Sequence, residues 1–392
     1  MPSKTWKLID HAAGVPVQPH WEIREKDLPG LGKAGVIKRT YHGGLAEGVV
    51  AVEINNGKLQ IDVLPTRGMG LWRVLPAGDR ELPSLGWKSP VRGPVHPTFV
   101  DIGEPSGVGW LDGFDELLAR CGLESNGAPD FDDQTNRLKY PLHGRIANRP
   151  AHEVTLTIDT DKKEMKLVGV VEETRFHGPK LRLTSTLTTK FDSRTFQIHD
   201  EVQNFSDAPA TMQLLYHVNF GLPLLDAGSQ VVLPAKQVAP RNDHAASGIN
   251  PWDSYPAPEP GFEEMVYFLE LNAAGDGKTR ALLKNAHATR GVSLIWSKLQ
   301  LPHFTLWKDT GGENDGYVTG LEPGTNFPNP RSFETVKGRV VKLTPGESKT
   351  FDLAMEIHST PEELTLVETA IDEIQGGRPL KVFDTPQTAW SA

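Results

Sequence analysis

From Glu153 to Tyr216 the chain repeats one pattern: a run of alternating apolar and polar residues, a short polar turn, and another such run. Glu153–Ile158 and Glu164–Glu173 flank a turn at 159–163, and Leu181–Phe191, Thr195–Val202 and Thr211–Tyr216 follow. A period of two is that of a pleated strand with one face buried. The links between runs are too short to carry the chain back to the start of a parallel strand, so the runs form an antiparallel meander. Val50–Leu64 repeats the pattern as a hairpin: Val50, Val52 and Ile54 on one side of Asn55-Asn56-Gly57, Leu59, Ile61 and Val63 on the other. Further strand runs lie at Val231–Leu233, Met265–Leu271, Ala281–Asn285, Val292–Trp296, Phe304–Lys308, Arg339–Leu343 and Thr350–Ile357. The 38 Gly and 31 Pro are dispersed through the 392 residues, which suits many short strands joined by turns. The class expected is all-β.

One segment reads clearly as helix. In 360–377, Thr360 is a cap, Pro361 takes the first helical position and Glu363 completes a capping box. Leu364, Val367, Ala370, Ile371 and Ile374 form one apolar stripe, and Gly376-Gly377 stops it. Asp112–Arg120 predicts one or two further helical turns. Residues 1–48 read as a lead-in of short strands and loops, with Trp6 and Trp21 lying against the main body. Residues 76–111, rich in Pro, Gly and Trp, predict a long loop layer over a sheet, of a kind that is often functional. Residues 239–265 predict a second long loop, with Asp243, His244 and Trp252 as lid candidates. All of 1–392 is expected to form one domain.

Charge and composition exclude several classes. The net charge is −9 and there is no block of Lys or Arg, which argues against a nucleic-acid partner. No apolar run reaches the length of a membrane-spanning helix. The first residues, MPSKTWKLIDHAAG, lack the apolar core of a secretion signal. Cys121 is the only cysteine, so no intrachain disulfide forms. A cytoplasmic protein is expected.

Three segments carry chemistry. Phe196–Leu225 reads as a strand, a turn at Asn204–Pro209, and a second strand, Met212–Tyr216, that delivers His217 and Asn219. Upstream stands Pro141-Leu142-His143-Gly144-Arg145, and downstream Gly320-Leu321-Glu322-Pro323. Their order, His then His then Glu, and their spacing resemble the galactose mutarotases, or aldose 1-epimerases, over most of the chain. Gly113–Pro150, with Arg120-Cys121-Gly122-Leu123 before the His143 segment and Pro150-Ala151 after it, resembles a divergent branch of uncharacterised bacterial aldose-epimerase-like proteins. The chain departs from the family at Tyr140, where an Asn is usual, and at Val218-Asn219-Phe220, where an aromatic-Asn pair is usual.

The resemblance implies a β-supersandwich of large antiparallel sheets and an isomerase that opens a sugar ring by acid–base chemistry. Glu322 would be the base, His217 the acid, and His143 a group near the ring oxygen. Arg67, Arg145 and Asn219 would contact the sugar, Trp110 or Trp307 would stack on it, and Asp243 would bind its hydroxyls. No metal or cofactor is implied. The substrate would be a monosaccharide or sugar acid. The arginines at 67, 145, 149 and 331 leave room for an anionic one. Asp112, Glu124 and Asn126 are further cleft candidates. Two other readings fit the same residues. His143, His217, His303 and Glu322 form a possible divalent-metal set for a metal-dependent epimerase, isomerase or lyase. A non-catalytic carbohydrate-binding protein would keep the aromatic and arginine contacts alone.

Overall fold

The computed structural model describes residues 3–14, 18–79 and 82–392. The first four runs of the expected meander lie side by side in a nine-stranded antiparallel sheet, but the fifth, Thr211–Tyr216, crosses to the other sheet, and Ser348–His358 takes its place beside Thr195–Asn204. The order of the nine-stranded sheet is Lys4–Asp10, Glu153–Asp159, Glu164–Thr174, Lys180–Lys190, Thr195–Asn204, Ser348–His358, Gly291–Ser297, Lys278–Lys284 and Gln230–Val232. Burial alternates residue by residue along Glu164–Thr174 and Lys180–Lys190, as it must when one face meets the core and the other meets water. Trp6, on the first strand, tilts against Trp21 at 5.8 Å, and both pack on the core.

The second sheet has thirteen strands. Its middle runs Gly70–Pro76, Leu118–Leu123, Ala210–Gly221, Val318–Gly324, His303–Asp309, Met265–Leu271 and Ala235–Pro240. Its pairings are antiparallel except at the edge, where Lys381–Val382 runs parallel to Gln237–Val238. Leu118–Leu123 and Val318–Gly324 are buried at every position, and Ala210–Gly221 at all but its first two. Both faces of these strands are therefore covered, by different things. Met212, Leu214, Tyr216, Val218 and Phe220 point into the core between the two sheets. Leu215, Ala119 and Cys121 point the other way and pack with Trp110 and Phe114 of the loop layer. His217 and Asn219 share that second face.

The two sheets are also joined by a buried polar contact. Arg120 donates to both carboxylate oxygens of Asp200, at 2.5 and 3.1 Å, to Ser185 at 2.8 Å and to the Met69 carbonyl at 2.6 Å; Tyr216 donates to Asp200 at 2.8 Å.

Three further sequence expectations change. The strand beginning at Ala210 continues past Tyr216 to Gly221, so His217 lies within a strand rather than after one. Asp112–Arg120 forms no α-helix: a 3-10 turn, Gly109–Gly113, leads into the strand Leu118–Leu123. A strand buried on both faces has no alternation, and a short apolar run does not distinguish it from a helix. A short helix, Asp243–Ser247, stands in the segment read as loop, and another, Arg331–Val336, lies where no element was expected.

The C-terminal helix forms as Pro361–Gln375, with the Thr360 hydroxyl accepting from Glu363 N and Gly376 closing it at φ 60°. Leu364, Val367 and Ile371 seat it on Leu282 of the smaller sheet. Among the described residues no helix is long and apolar enough to cross a membrane.

Candidate active site

Three adjacent strands set the floor. Val218 pairs with Leu321, and Thr305 with Glu322, so His217, Glu322 and Thr305 stand in one row across the sheet. Asn219, Gly320 and Trp307 form the next row on the same face. Gly320 matters because it has no side chain. A Cβ there would lie 2.5 Å from Glu322 Oε1, 3.2 Å from His217 Cε1 and 3.3 Å from Trp307 Cε3.

The loop layer supplies the wall. His143 has φ 56° and Gly144 φ 74°, a tight turn that an L side chain at 144 would block, since its Cβ would come 1.9 Å from the Ser125 carbonyl. The turn presses the His143 ring against Trp110 at 4.6 Å and His217 at 5.1 Å. Phe114 closes the cluster, 4.7 Å from Trp110, 5.2 Å from His217 and 5.9 Å from Trp307. These residues bound a cavity of about 380 Å³ open at one side, and His143, His217, Glu322, Trp110, Trp307 and Thr305 all line it.

Hydrogen bonding fixes the state of both imidazoles. Asn219 donates its amide to the Glu116 carbonyl at 3.0 Å, which turns its oxygen toward His217 Nδ1, 2.5 Å away. His217 Nδ1 therefore carries hydrogen, and Nε2 presents a lone pair to Glu322 Oε1 at 3.2 Å. His143 Nδ1 likewise donates to the Asn126 carbonyl at 3.1 Å.

Burial raises the Glu322 carboxyl well above the ordinary range, and Glu264 pushes the same way. Burial, then His143, lowers His217 well below it. Burial lowers His143 to about 4. Burial thus favours the uncharged form of each side chain, Glu322 with its proton and His217 with a bare Nε2. Glu322 Oε1, Thr305 Oγ1 and the Trp110 indole nitrogen are buried without an aligned hydrogen-bond partner. Three such atoms lining one cavity suit a ligand rich in hydroxyls.

His143, His217, Glu322, Trp110 and Trp307 therefore come together. Other expected contacts do not. Arg67 is buried and each of its nitrogens is engaged, with Glu116 at 2.7 Å, the Gly113 carbonyl at 2.8 Å and Asn148. It holds Glu116, whose carbonyl orients Asn219, and Asn219 in turn orients His217, so both are supports rather than sugar contacts. Arg145 precedes the turn Ile146–Asn148, under the influence of Arg175, Glu173, Arg149 and Glu124, and does not line the cavity. Arg149 also lies outside the lining, and Arg331 bonds Thr211 beside another groove.

Asp243 is exposed in the first turn of its helix, His244 bonds the Glu263 carbonyl at 3.1 Å, and Trp252 belongs to the main core, so none forms a lid. Asp112 is exposed, the Glu124 N–H binds Glu173, and Asn126 contributes only through its carbonyl. His303 packs on Phe327 at 4.6 Å and does not join the other three; among the described residues no group of three His, Cys, Asp or Glu is placed to hold a metal. A strand brings every second side chain to one face, but His303 stands a row beyond Thr305, across from Gly324.

Sequence reasoning missed Arg241, Glu264, Thr305, Phe114 and Gly320. Arg241 donates to Glu264 Oε1 at 2.8 Å, and the Trp307 indole donates to Glu264 Oε2 at 2.6 Å; all three line the cavity. The available signal was positional: Arg241 and Glu264 sit near the two ends of the 239–265 loop, where it leaves and rejoins the sheet.

Two stacked sheets with this inward-facing loop layer define a galactose mutarotase-like supersandwich. The fold is shared with a galactose mutarotase-like protein from Clostridium acetobutylicum (14% identity, TM-score 0.55, 81% of this chain and 98% of that one). It is shared also with a galactose 1-epimerase from Lactobacillus acidophilus NCFM (13%, 0.54, 84% and 99%). A candidate aldose 1-epimerase from Klebsiella pneumoniae subsp. pneumoniae is much more similar, at 34% identity and TM-score 0.92 over 98% of this chain and 99% of that one. Residues 46–357 match the family described as a domain of unknown function, DUF4432, and the chain belongs to that family. No curated protein matches the chain.

Proposed function

We propose that this protein is an aldose 1-epimerase, interconverting the α and β anomers of a sugar without metal or cofactor. The observation that carries the reading is the His217–Glu322 pair, 3.2 Å apart on the floor of a cavity walled by Trp110, Phe114 and Trp307; the reading gives the pair one proton to share. Anomer exchange moves one proton from the C1 hydroxyl to the ring oxygen O5. Both oxygens are bonded to C1, so the groups that serve them have to be neighbours.

With the shared proton on His217 Nε2, Glu322 is a carboxylate able to take the C1–OH proton while His217 protonates O5 and the C1–O5 bond breaks. The pair is then in its other form, with Glu322 protonated and His217 neutral. After C1 rotates about C1–C2, the same two transfers in reverse close the ring on its other face. The pair is net neutral before and after, which suits a buried site. His143, neutral near pH 7, offers an acceptor. It suits the O5–H of the opened sugar, whereas the closed ring's O5 has no hydrogen to give it. The chemistry requires neither electron transfer nor a Lewis acid.

The test is saturation-transfer NMR of anomer exchange with a panel of neutral aldoses, deoxy sugars and uronic acids, with and without a chelator. Acceleration indifferent to chelator is expected. Activity that vanishes with chelator would replace this reading with a metal-dependent one.

A smaller change probes the geometry. In Gly320→Ala the new methyl has to displace Glu322 Oε1, which a Cβ would approach to 2.5 Å. Misplacing the base on this scale is expected to lower kcat about 10²-fold. The circular dichroism spectrum should be unchanged, and the same NMR assay reads the loss.

A further inference from the structure

We propose that a groove apart from the cavity binds a phosphate monoester, held as its dianion by Arg331, Lys342 and the Thr211 hydroxyl. The groove is about 960 Å³, and none of its lining residues also lines the cavity. It lies where the hairpin end at 177–180 and the turns at 205–209 and 344–347 meet the short strand Leu138–Tyr140.

Arg331 is the buried cation that the fold leaves incomplete. Among the described residues the buried Lys and Arg side chains are Lys38, Arg67, Arg120, Lys308 and Arg331. Arg67 pairs with Glu116 and Arg120 with Asp200, while Lys38 and Lys308 donate to backbone carbonyls. Arg331 is 8% exposed and pairs with no carboxylate among the described residues. Its Nη2 donates to the Thr211 hydroxyl, its guanidinium lies 5.2 Å from the centre of the Tyr140 ring, and its Nη1 is buried without a partner. A buried guanidinium ordinarily has an anion beside it.

A second cation converges on the same hydroxyl. Thr211 is paired with Lys342 in the antiparallel ladder, so the two side chains are neighbours on one face. The residues next to them, Met212 and Leu343, point the other way into the core. Lys342 is exposed and has no hydrogen bond or ion pair with a described residue. Two cations flanking one hydroxyl repel each other until an anion stands between them, and a phosphate monoester near pH 7 brings nearly two negative charges. The Thr211 hydroxyl accepts from Arg331, so its own hydrogen is left to donate.

The acids of the groove do not fill this place. Glu347 accepts from the Thr344 N–H and pairs with Lys349, each at 2.9 Å; Asp207 is exposed in its turn; Glu124 acts on Arg145. Tyr140, Phe205, Pro179 and Pro209 give the rest of the groove apolar walls, with room for far more than a bare ion, so the anion carries an organic part.

The experiment is calorimetric titration of the full chain with glucose 6-phosphate, inorganic phosphate, gluconate and glucose. Glucose 6-phosphate should bind most tightly, inorganic phosphate less so and gluconate, with one charge, weakest of the three anions. Lys342→Gln, at an exposed position that folding does not need, should weaken both phosphates at least about tenfold and leave glucose unchanged, since the residue lies outside the cavity. Arg331→Lys, which keeps the charge and removes the fork, should weaken them comparably. No phosphate binding, or equal affinity in wild type and Lys342→Gln, would overturn the site. Gluconate bound as tightly as phosphate would overturn the dianion, and inorganic phosphate bound as tightly as its ester would overturn the organic part.

Discussion

Glu322→Gln is expected to lower the anomer-exchange rate by about 10²–10⁴-fold, the usual worth of one acid–base group, and at the same time to make the protein harder to unfold above pH 7. The two effects have one cause. Gln keeps the shape of the side chain in a site where it is 2% exposed, and removes the ability to ionise. The proposed catalysis needs the carboxylate, whereas burial resists it.

The sign of the stability effect follows from the raised carboxyl of Glu322. Once unfolded, the group ionises near its ordinary value of 4.5; folded, it holds its proton well above that. Below the unfolded value it is neutral in both states and the substitution should matter little. As pH rises through the interval between the two values, ionisation favours the unfolded chain, and wild type loses about 1.4 kcal/mol for each unit crossed. The variant loses nothing on this account.

His217 is shifted the other way, downward from 6.5, so above pH 7 it is neutral in both states and does not disturb the comparison. Thermal unfolding of wild type and variant at pH 7, 8 and 9 should therefore show a melting-temperature gap in favour of Gln. A variant less stable than wild type throughout this range would mean that the carboxylate is stabilised in the fold, and the shared-proton account would fail with it.

The sequence revealed the parts of this site that local pattern determines. The four strands from Glu153 to Asn204 appear in the structure with ends moved by a few residues, because alternation directly records a face in water, whereas the fifth run crosses to the other sheet, a step that a short turn does not reveal. The strands that carry the site are covered on both faces, so their pattern gave no alternation, and Leu118–Arg120, the first half of the strand Leu118–Leu123, was read as the end of a helix. His143, His217 and Glu322 were legible as a family motif.

The supporting residues were another matter. Arg67 and Asn219 have the chemistry of sugar contacts, yet Arg67 is consumed by Glu116, Asn148 and the Gly113 carbonyl, and Asn219 by His217 and the Glu116 carbonyl. Which partner a polar side chain finds depends on contacts between residues far apart in sequence, here across 46 to 103 positions for every contact but that of Asn219 with His217. Asp243 was close in sequence to the right place, but Arg241, two residues earlier and on the cavity side of its helix, carries the charge that lines it. Gly320 gives no signal at all from sequence, because its contribution is space.

Asp200→Asn should destabilise the fold by about 3–5 kcal/mol, the cost of leaving one member of a buried ion pair without its partner. Arg120 and Asp200 are 2% and 0% exposed, and they join strands of different sheets. Burial opposes the Arg120 charge, and Asp200 overcomes that opposition. Asn would accept one of Arg120's hydrogen bonds and supply no charge, so the guanidinium would remain ionised in the core with Ser185, the Gly68 and Met69 carbonyls and Tyr216 as its remaining neighbours.

Urea unfolding would read the loss as a lower midpoint at an unchanged slope. Replacing both partners, Arg120→Met with Asp200→Leu, should recover most of it, since the apolar pair leaves no uncompensated charge. At temperatures where Asp200→Asn is still folded, its exchange kinetics should match wild type. Tyr216 bonds Asp200 from the inter-sheet face of its strand, and His217, the next residue, projects from the opposite face into the cavity. A strand thus separates the group that fastens the sheets from the group that lines the cavity by one residue and the full thickness of the sheet. A parallel fall in kcat and stability would show that the two faces are coupled through the backbone of Ala210–Gly221.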